Sequence, residues 1–214
     1  MTRNERSGAI AAFEKCNASK YRFFNLRSYL GQAVEMNDAS LGSYLETSRD
    51  KSFLKWAGQN AEGHNEFATA AYYYGLINDI CSLVRVHCHS GNIQKAAELA
   101  DLNENDFAAQ YLLASEYEQS ERYTEAIVYF TKAKSISSAI RVAKEQNITQ
   151  ELMQLSLKGT KSDLIDVAKY FEERIEDFEK AALLYSKAGL LFKAVHMCFR
   201  TSNIEMLHDI GTKI

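Results

Sequence analysis

Three stretches of this chain open on small residues and run into bulky ones in the same order. They are "FATAAYYYGLINDICSLVRVHCHSGN" from Phe67, "YTEAIVYFTKAKSISSAIRVAKEQN" from Tyr123 and "FEKAALLYSKAGLLFKAVHMCFRTSN" from Phe178. Their anchors, Ala70, Ala126 and Ala181, recur at an almost constant interval. A weaker copy, "SGAIAAFEKC", places Ala9 at a slightly longer interval before Ala70. A second pattern fills the intervals. "IQKAAELADLNENDFAAQYLLASEYEQSE" (93–121) parallels "ITQELMQLSLKGTKSDLIDVAKYFEER" (148–174) once a one-residue gap is allowed, which sets Tyr117-Glu118 opposite Phe171-Glu172. A period of this kind constrains the fold more than composition does, because each copy must bury its apolar face against the next.

The spacing within a copy says what that copy folds into. Ala126, Tyr129, Phe130 and Ala133 fall at i, i+3, i+4 and i+7, as do Ala181, Leu184, Tyr185 and Ala188. That is the stripe of an amphipathic helix facing a neighbour. Small alanines let two helices approach, and the aromatic one turn on fills the gap. The predicted packing positions are therefore Ala70, Tyr73 and Tyr74 in the first copy, Ala126, Tyr129 and Phe130 in the second, and Ala181, Leu184 and Tyr185 in the third. Composition agrees. The 214 residues include no proline, where ordinary usage of about 5% would supply roughly ten. Proline in a helix interior costs about 3 kcal/mol, so a chain without it is free to be helical throughout. With 46% hydrophobic and 25% charged residues it can fill a core.

A period of ~55 residues is too long for one helix pair and suits two hairpins of about 27 residues each, shorter than the ~34 or ~40–47 of regular helical repeats. The prediction is all-α: an α-solenoid of stacked antiparallel helical hairpins, with residues 1–214 one segment and 1–60 its more divergent part. Gly91 is placed to close one helix and Asn92 to cap the next, and Asn147, Ser162 and Asn203 read as similar starts. "YRFFNLRSYL" (21–30) is predicted helical or irregular.

The segment "LVRVHCHSGNIQKAAELA" (83–100) sets His87, Cys88 and His89 side by side. On a helix the two histidines point about 200° apart and cannot hold one ion. With Leu83 and Gly91 at i−4 and i+4, His87 has no chelating partner on its helix, so a metal-dependent protein centred on Cys88 would need a ligand such as His64 or His208 from elsewhere. Cys81, Val84 and Cys88 share a core-like spacing, with Cys81 and Cys88 about 10.5 Å apart along the axis, beyond disulfide reach. Four scattered cysteines, completed by Cys16 and Cys198, suggest reduced thiols. The chain lacks a Gly-x-Ser-x-Gly elbow, a phosphate-binding glycine loop and a His-Glu-x-x-His helix. The acidic run "FEERIEDFEK" (171–180) reads as solvated helix face. No catalytic residue, cofactor or metal site is predicted. A net charge of −3 disfavours nucleic acid, and the basic–aromatic run Lys20 to Arg27 reads as one buried and one wet face. No apolar run approaches the ~20 residues that span a membrane, and the N-terminus lacks a secretory core. Trp56 is expected between helices.

"DKSFLKWAGQNAEGHNEFATAAYYY", "SLVRVHCHSGNIQKAAELA", "KSDLIDVAKYFEER" and "EKAALLYSKAGLLFKAV", in this order, resemble the helical-repeat region of the intraflagellar transport protein 140 family. The most specific stretch runs from Ser82 to Ala100. The resemblance implies divergent tetratricopeptide-like repeats and a non-enzymatic scaffold of intraflagellar transport complex A, acting in retrograde ciliary transport and in ciliary entry of membrane proteins. It implies the other complex A subunits as partners, and residence in the cilium or flagellum, at the basal body and in the cytoplasm. A vesicle-coat subunit or other tetratricopeptide-like adaptor is the alternative. Family members carry two N-terminal β-propellers that this sequence lacks, so a fragment of a longer chain is expected, with self-association through uncapped repeat ends.

Overall fold

A computed structural model describes residues 51–211 of the chain. Every regular element among them is helical. They are α1 (Lys51–Gly63), α2 (Phe67–Leu76), α3 (Ile80–His89), α4 (Ile93–Leu102), α5 (Phe107–Gln119), α6 (Tyr123–Lys132), α7 (Ile136–Glu145), α8 (Thr149–Lys158), α9 (Lys161–Tyr170), a π-helical turn (Phe171–Ile175), α10 (Phe178–Lys187), α11 (Leu191–Thr201) and α12 (Ile204–Gly211). Packing divides the chain into two compact units, Met1–Ser90 and Gly91–Ile214. In the first, α2 packs on α1 and α3 on α2. In the second, each helix from α5 to α12 packs against the one before it, and α7 also meets α9. This is an α-solenoid of antiparallel hairpins. The weak copy around Ala9, the 21–30 run and Cys16 lie outside the described residues, as does most of 1–60.

The repeating joint is a short turn built on a left-handed residue. Asn65, Asn78 and Gly91 have positive φ, then Glu121, Lys134 and Asn147, then Glu176, Gly189 and Ser202. Within each trio the members are evenly spaced along the chain, separated by a helix of ten residues, or eleven in α11, and its turn. That defines a very short hairpin. Most of these turns close by a long-range amide bond of the Schellman type. The N–H of Asp79 donates to the carbonyl of Tyr74 at 3.0 Å, Arg122 to Tyr117 at 2.9 Å, Ser135 to Phe130 at 2.9 Å and Leu190 to Tyr185 at 2.8 Å. Glycine reaches positive φ without strain, and asparagine tolerates it; Glu121, Lys134, Glu176 and Ser202 hold it because the turn requires it.

The caps differ in part from expectation. Gly91 closes α3 with φ 77°. Asn92 and Asn203 cap α4 and α12, accepting from the Lys95 N–H at 3.4 Å and the Met206 N–H at 3.0 Å. Asn147 and Ser162 are not caps. Asn147 is the left-handed residue of its turn, and its Oδ1 accepts from the Tyr170 hydroxyl at 2.8 Å. The cap of α9 is Thr160, which forms a reciprocal capping box with Asp163.

The one-residue gap between the second and third copies resolves into two compensating places. The caps Asp106 and Thr160 stand one position closer together than the anchors Ala126 and Ala181, so the chain before α9 is a residue short relative to the chain before α5. The π turn after α9 restores the missing residue. Phe171, the equivalent of Tyr117, still provides the carbonyl that closes the turn, but the donor is now Asp177, six residues on, at 3.0 Å. A π turn is a helix carrying one inserted residue, so the phase of the buried side chains before it and of the turn after it is kept. "FEERI" was expected as ordinary helix face; it is this bulge.

Candidate functional site

Ala70, Ala126 and Ala181 are fully buried, and so are Tyr74, Leu184 and Tyr185; Phe130 and Tyr129 are nearly so. Tyr73 is half-buried, unlike its counterparts Tyr129 and Leu184. Trp56 is half-buried on α1. A side chain at Gly58 would meet the Tyr74 ring at 2.7 Å, so α1 and α2 touch there with no room for one.

Between the buried stripes lies a polar joint that recurs with the period and that the separate reading of each stretch missed. In the first copy Arg85 of α3 donates to both carboxylate oxygens of Glu62 on α1, at 2.7 and 2.8 Å. The Tyr74 hydroxyl of α2 donates to the same carboxylate at 2.9 Å. Three helices are thus tied through one half-buried carboxylate. The Arg85 bonds hold the Glu62 carboxyl below its ordinary 4.5, against the opposing effect of burial. Burial, and then the bond to Glu62, push the Tyr74 phenol up to about 12. In the second copy Arg141 of α7 forks onto Glu118 of α5 at 2.8 and 2.9 Å; Phe130 stands where Tyr74 does and adds no hydroxyl. In the third, the Tyr185 hydroxyl donates to Glu172 of the π turn at 2.7 Å, burial raises its phenol, and the cation position is taken by His196, which is exposed. The column Arg85, Arg141, His196 was present in the aligned stretches. Its partner column Glu62, Glu118, Glu172 sits in the other half of the repeat, where Glu118 was already aligned with Glu172 but nothing local linked either to a cation.

The histidine–cysteine stretch is distributed over helix faces. Cys88 is buried, Cys81 and His87 are half-buried and His89 is exposed. The His89 ring meets Phe67 edge-on at 6.3 Å, and its Nδ1 stands 3.8 Å from Glu62. Among the described residues no group of three or more His, Cys, Asp or Glu side chains is arranged to hold a metal ion. The residues one and two repeats on from Cys88 are less buried than it is: Lys144 is half-buried, and Phe199 is 67% exposed. Position 199 reaches solvent beside Phe192, two helical turns earlier and 88% exposed, while Ala194, Met197 and Cys198 form the buried side of α11. Ile204 on α12 is also open, at 78% exposure. Among the described residues no helix is long and apolar enough to cross a membrane.

The full chain, residues 1–214, matches the family model for the TPR domain of the intraflagellar transport proteins 140 and 172. The protein belongs to this intraflagellar transport TPR domain family. Its short hairpins, closed by left-handed turns and tied by carboxylate joints, are this member's form of the tetratricopeptide-like repeat. Membership makes the chain an intraflagellar-transport-related scaffold, of a repeat type that is typically non-enzymatic, associated with the cilium and with other intraflagellar transport components.

Proposed function

We propose that this chain is a non-enzymatic protein–protein interaction scaffold of intraflagellar transport complex A, serving retrograde ciliary transport and the ciliary entry of membrane proteins. Residues 1–214 form one solenoid segment in this reading, resident in the cilium, at the basal body and in the cytoplasm. Family membership across the whole chain is the observation that carries it. The repeat supports it physically: stacked hairpins give an extended surface built from successive helix faces, suited to holding partners rather than enclosing a reacting molecule. Packing roles for Ala70, Tyr73, Tyr74, Ala126, Tyr129, Phe130, Ala181, Leu184 and Tyr185 belong to the same proposal. The other complex A subunits are the partners. No cofactor, nucleic acid or membrane insertion takes part.

The exposed Phe192, Phe199 and Ile204 support self-association at the last described repeat. Light scattering at rising concentration should show growth in mass, reduced by F192E/F199E; a monomer throughout contradicts self-association. The scaffold reading is tested by affinity capture from ciliated cells. Recovery of the complex A subunits is expected. Recovery of vesicle-coat subunits in their place would favour the adaptor alternative, and recovery of neither would overturn the proposal.

A further inference from the structure

The π turn does more than absorb a residue. It bounds a groove of about 500 Å³ whose walls are the C-terminal end of α7, the last turns of α9 and the π turn itself. Tyr170 is almost fully buried beneath it and is fixed by its hydroxyl, which donates to Asn147 Oδ1 at 2.8 Å. Three of the lining charges, Lys144, Asp166 and Glu145, are already paired within the protein. Lys144 pairs with Asp166 at 2.7 Å, and Glu145 pairs with Arg141 at 3.1 Å. Lys169 and Arg174 also line the groove, both exposed and without an ion-pair partner among the described residues, and Glu173 stands beside them.

The two free cations flank the point where α9 passes into the bulge. In an α-helix, side chains five apart point about 140° away from each other. Here the helix widens into a π turn, with the Glu176 N–H donating to the Phe171 carbonyl, and Lys169 and Arg174 line the same groove from either side of its start. At the matching place in the second copy, α5 ends as ordinary α-helix with Gln119 and Ser120, and neither residue is charged. The third copy thus differs from the second in backbone and in charge at the same point. A guanidinium and an ammonium at the mouth of one groove, over an aromatic floor, suit carboxylates held by charge-assisted hydrogen bonds.

We propose that this groove is a docking site for an extended acidic peptide segment of a partner protein, with Lys169 and Arg174 gripping successive carboxylates. Glu173 works against the ligand and sets a limit on affinity. The proposal takes from the scaffold reading only that the ligand belongs to a protein.

The test uses the purified full chain and a fluorescent deca-glutamate peptide, followed by anisotropy. Binding should appear at low salt and fade as salt screens it. K169A/R174A should weaken it at least about tenfold, the scale of one lost charged contact. E173Q should tighten it. K95A/K187A, which removes two exposed lysines outside the groove, should leave it unchanged. Equal binding by wild type and K169A/R174A, equal loss in K95A/K187A, equal binding of deca-lysine, or no binding at all would each overturn the site. Retention on anionic vesicles without peptide binding would overturn it in favour of a lipid. Because the probe is a synthetic peptide, a negative result leaves the complex A reading standing, and a failed subunit capture leaves a positive peptide result standing.

Discussion

Residues 107–147 and 161–202 are two renderings of one design. Each runs a helix into a left-handed residue, a ten-residue helix and another left-handed residue. In each, an aromatic carbonyl, from Tyr117 or Phe171, closes the first turn. The differences are an extra residue, taken up as a π turn, and a changed polar joint: a forked Glu118–Arg141 pair in one, a Tyr185–Glu172 hydrogen bond with His196 in the other. What stays constant is therefore the turn and the buried small–aromatic stripe. What varies is the side-chain chemistry that ties one helix to the next but one. Backbone closure and burial specify the repeat, and the polar joint trims its stability.

That ranking orders the effects of mutation. Ala126→Leu and Ala181→Leu, each at a fully buried helix crossing, should cost about 1–3 kcal/mol by overpacking, in both copies alike, as read by urea unfolding; unchanged midpoints in both would mean the stripes are not the equivalent contacts. Arg141→Ala should cost about 1 kcal/mol, the scale of a well-formed, partly exposed bidentate pair. His196→Ala should cost nothing measurable, and an equal loss at both sites would erase the distinction between the two joints.

Acid should separate the joints further. Glu62 titrates below 4.5 when folded because Arg85 favours its charged form. The unfolded chain then binds more protons as pH falls, so this contribution is complete above about pH 4.5 and is lost as pH drops through the folded value. Urea midpoints followed from pH 6 to pH 3 should fall less steeply in Arg85→Ala than in the parent. A parallel decline would show that the carboxylate is not held by the arginine. A small gain is expected from Glu176→Gly, which relieves a side chain at φ 58° and should add about 0.5–1 kcal/mol.

Much of this was legible in the chain. The Ala70, Ala126 and Ala181 register, the helical spacing and the Gly91-Asn92 turn all follow from side-chain sterics that leave a mark in sequence. The gap between 93–121 and 148–174 was visible too, but a gap does not say where the chain stores the difference; only backbone geometry divides it between a loop before Thr160 and a bulge after Tyr170. Asn147 misled because asparagine serves equally as cap and as left-handed residue. Ser162 misled because Thr160, two residues earlier, forms the reciprocal box. The Glu62–Tyr74–Arg85 joint escaped because its members come from three successive helices, and no local pattern links them. The groove at Lys169 and Arg174 was out of reach for the same reason as the bulge: its walls come from α7, α9 and the π turn, and no local pattern links them.

The central claim is that the third copy is the second with one residue inserted in its helix. Deleting Glu173 and deleting Gln119, each measured by urea unfolding, tests it directly. Removing Glu173 should turn the bulge into regular α-helix and leave stability within about 1 kcal/mol of the parent. Removing Gln119 should swing Tyr117 out of phase with its turn and cost at least about 3 kcal/mol, as for loss of a buried aromatic. Equal damage from the two deletions would contradict the claim.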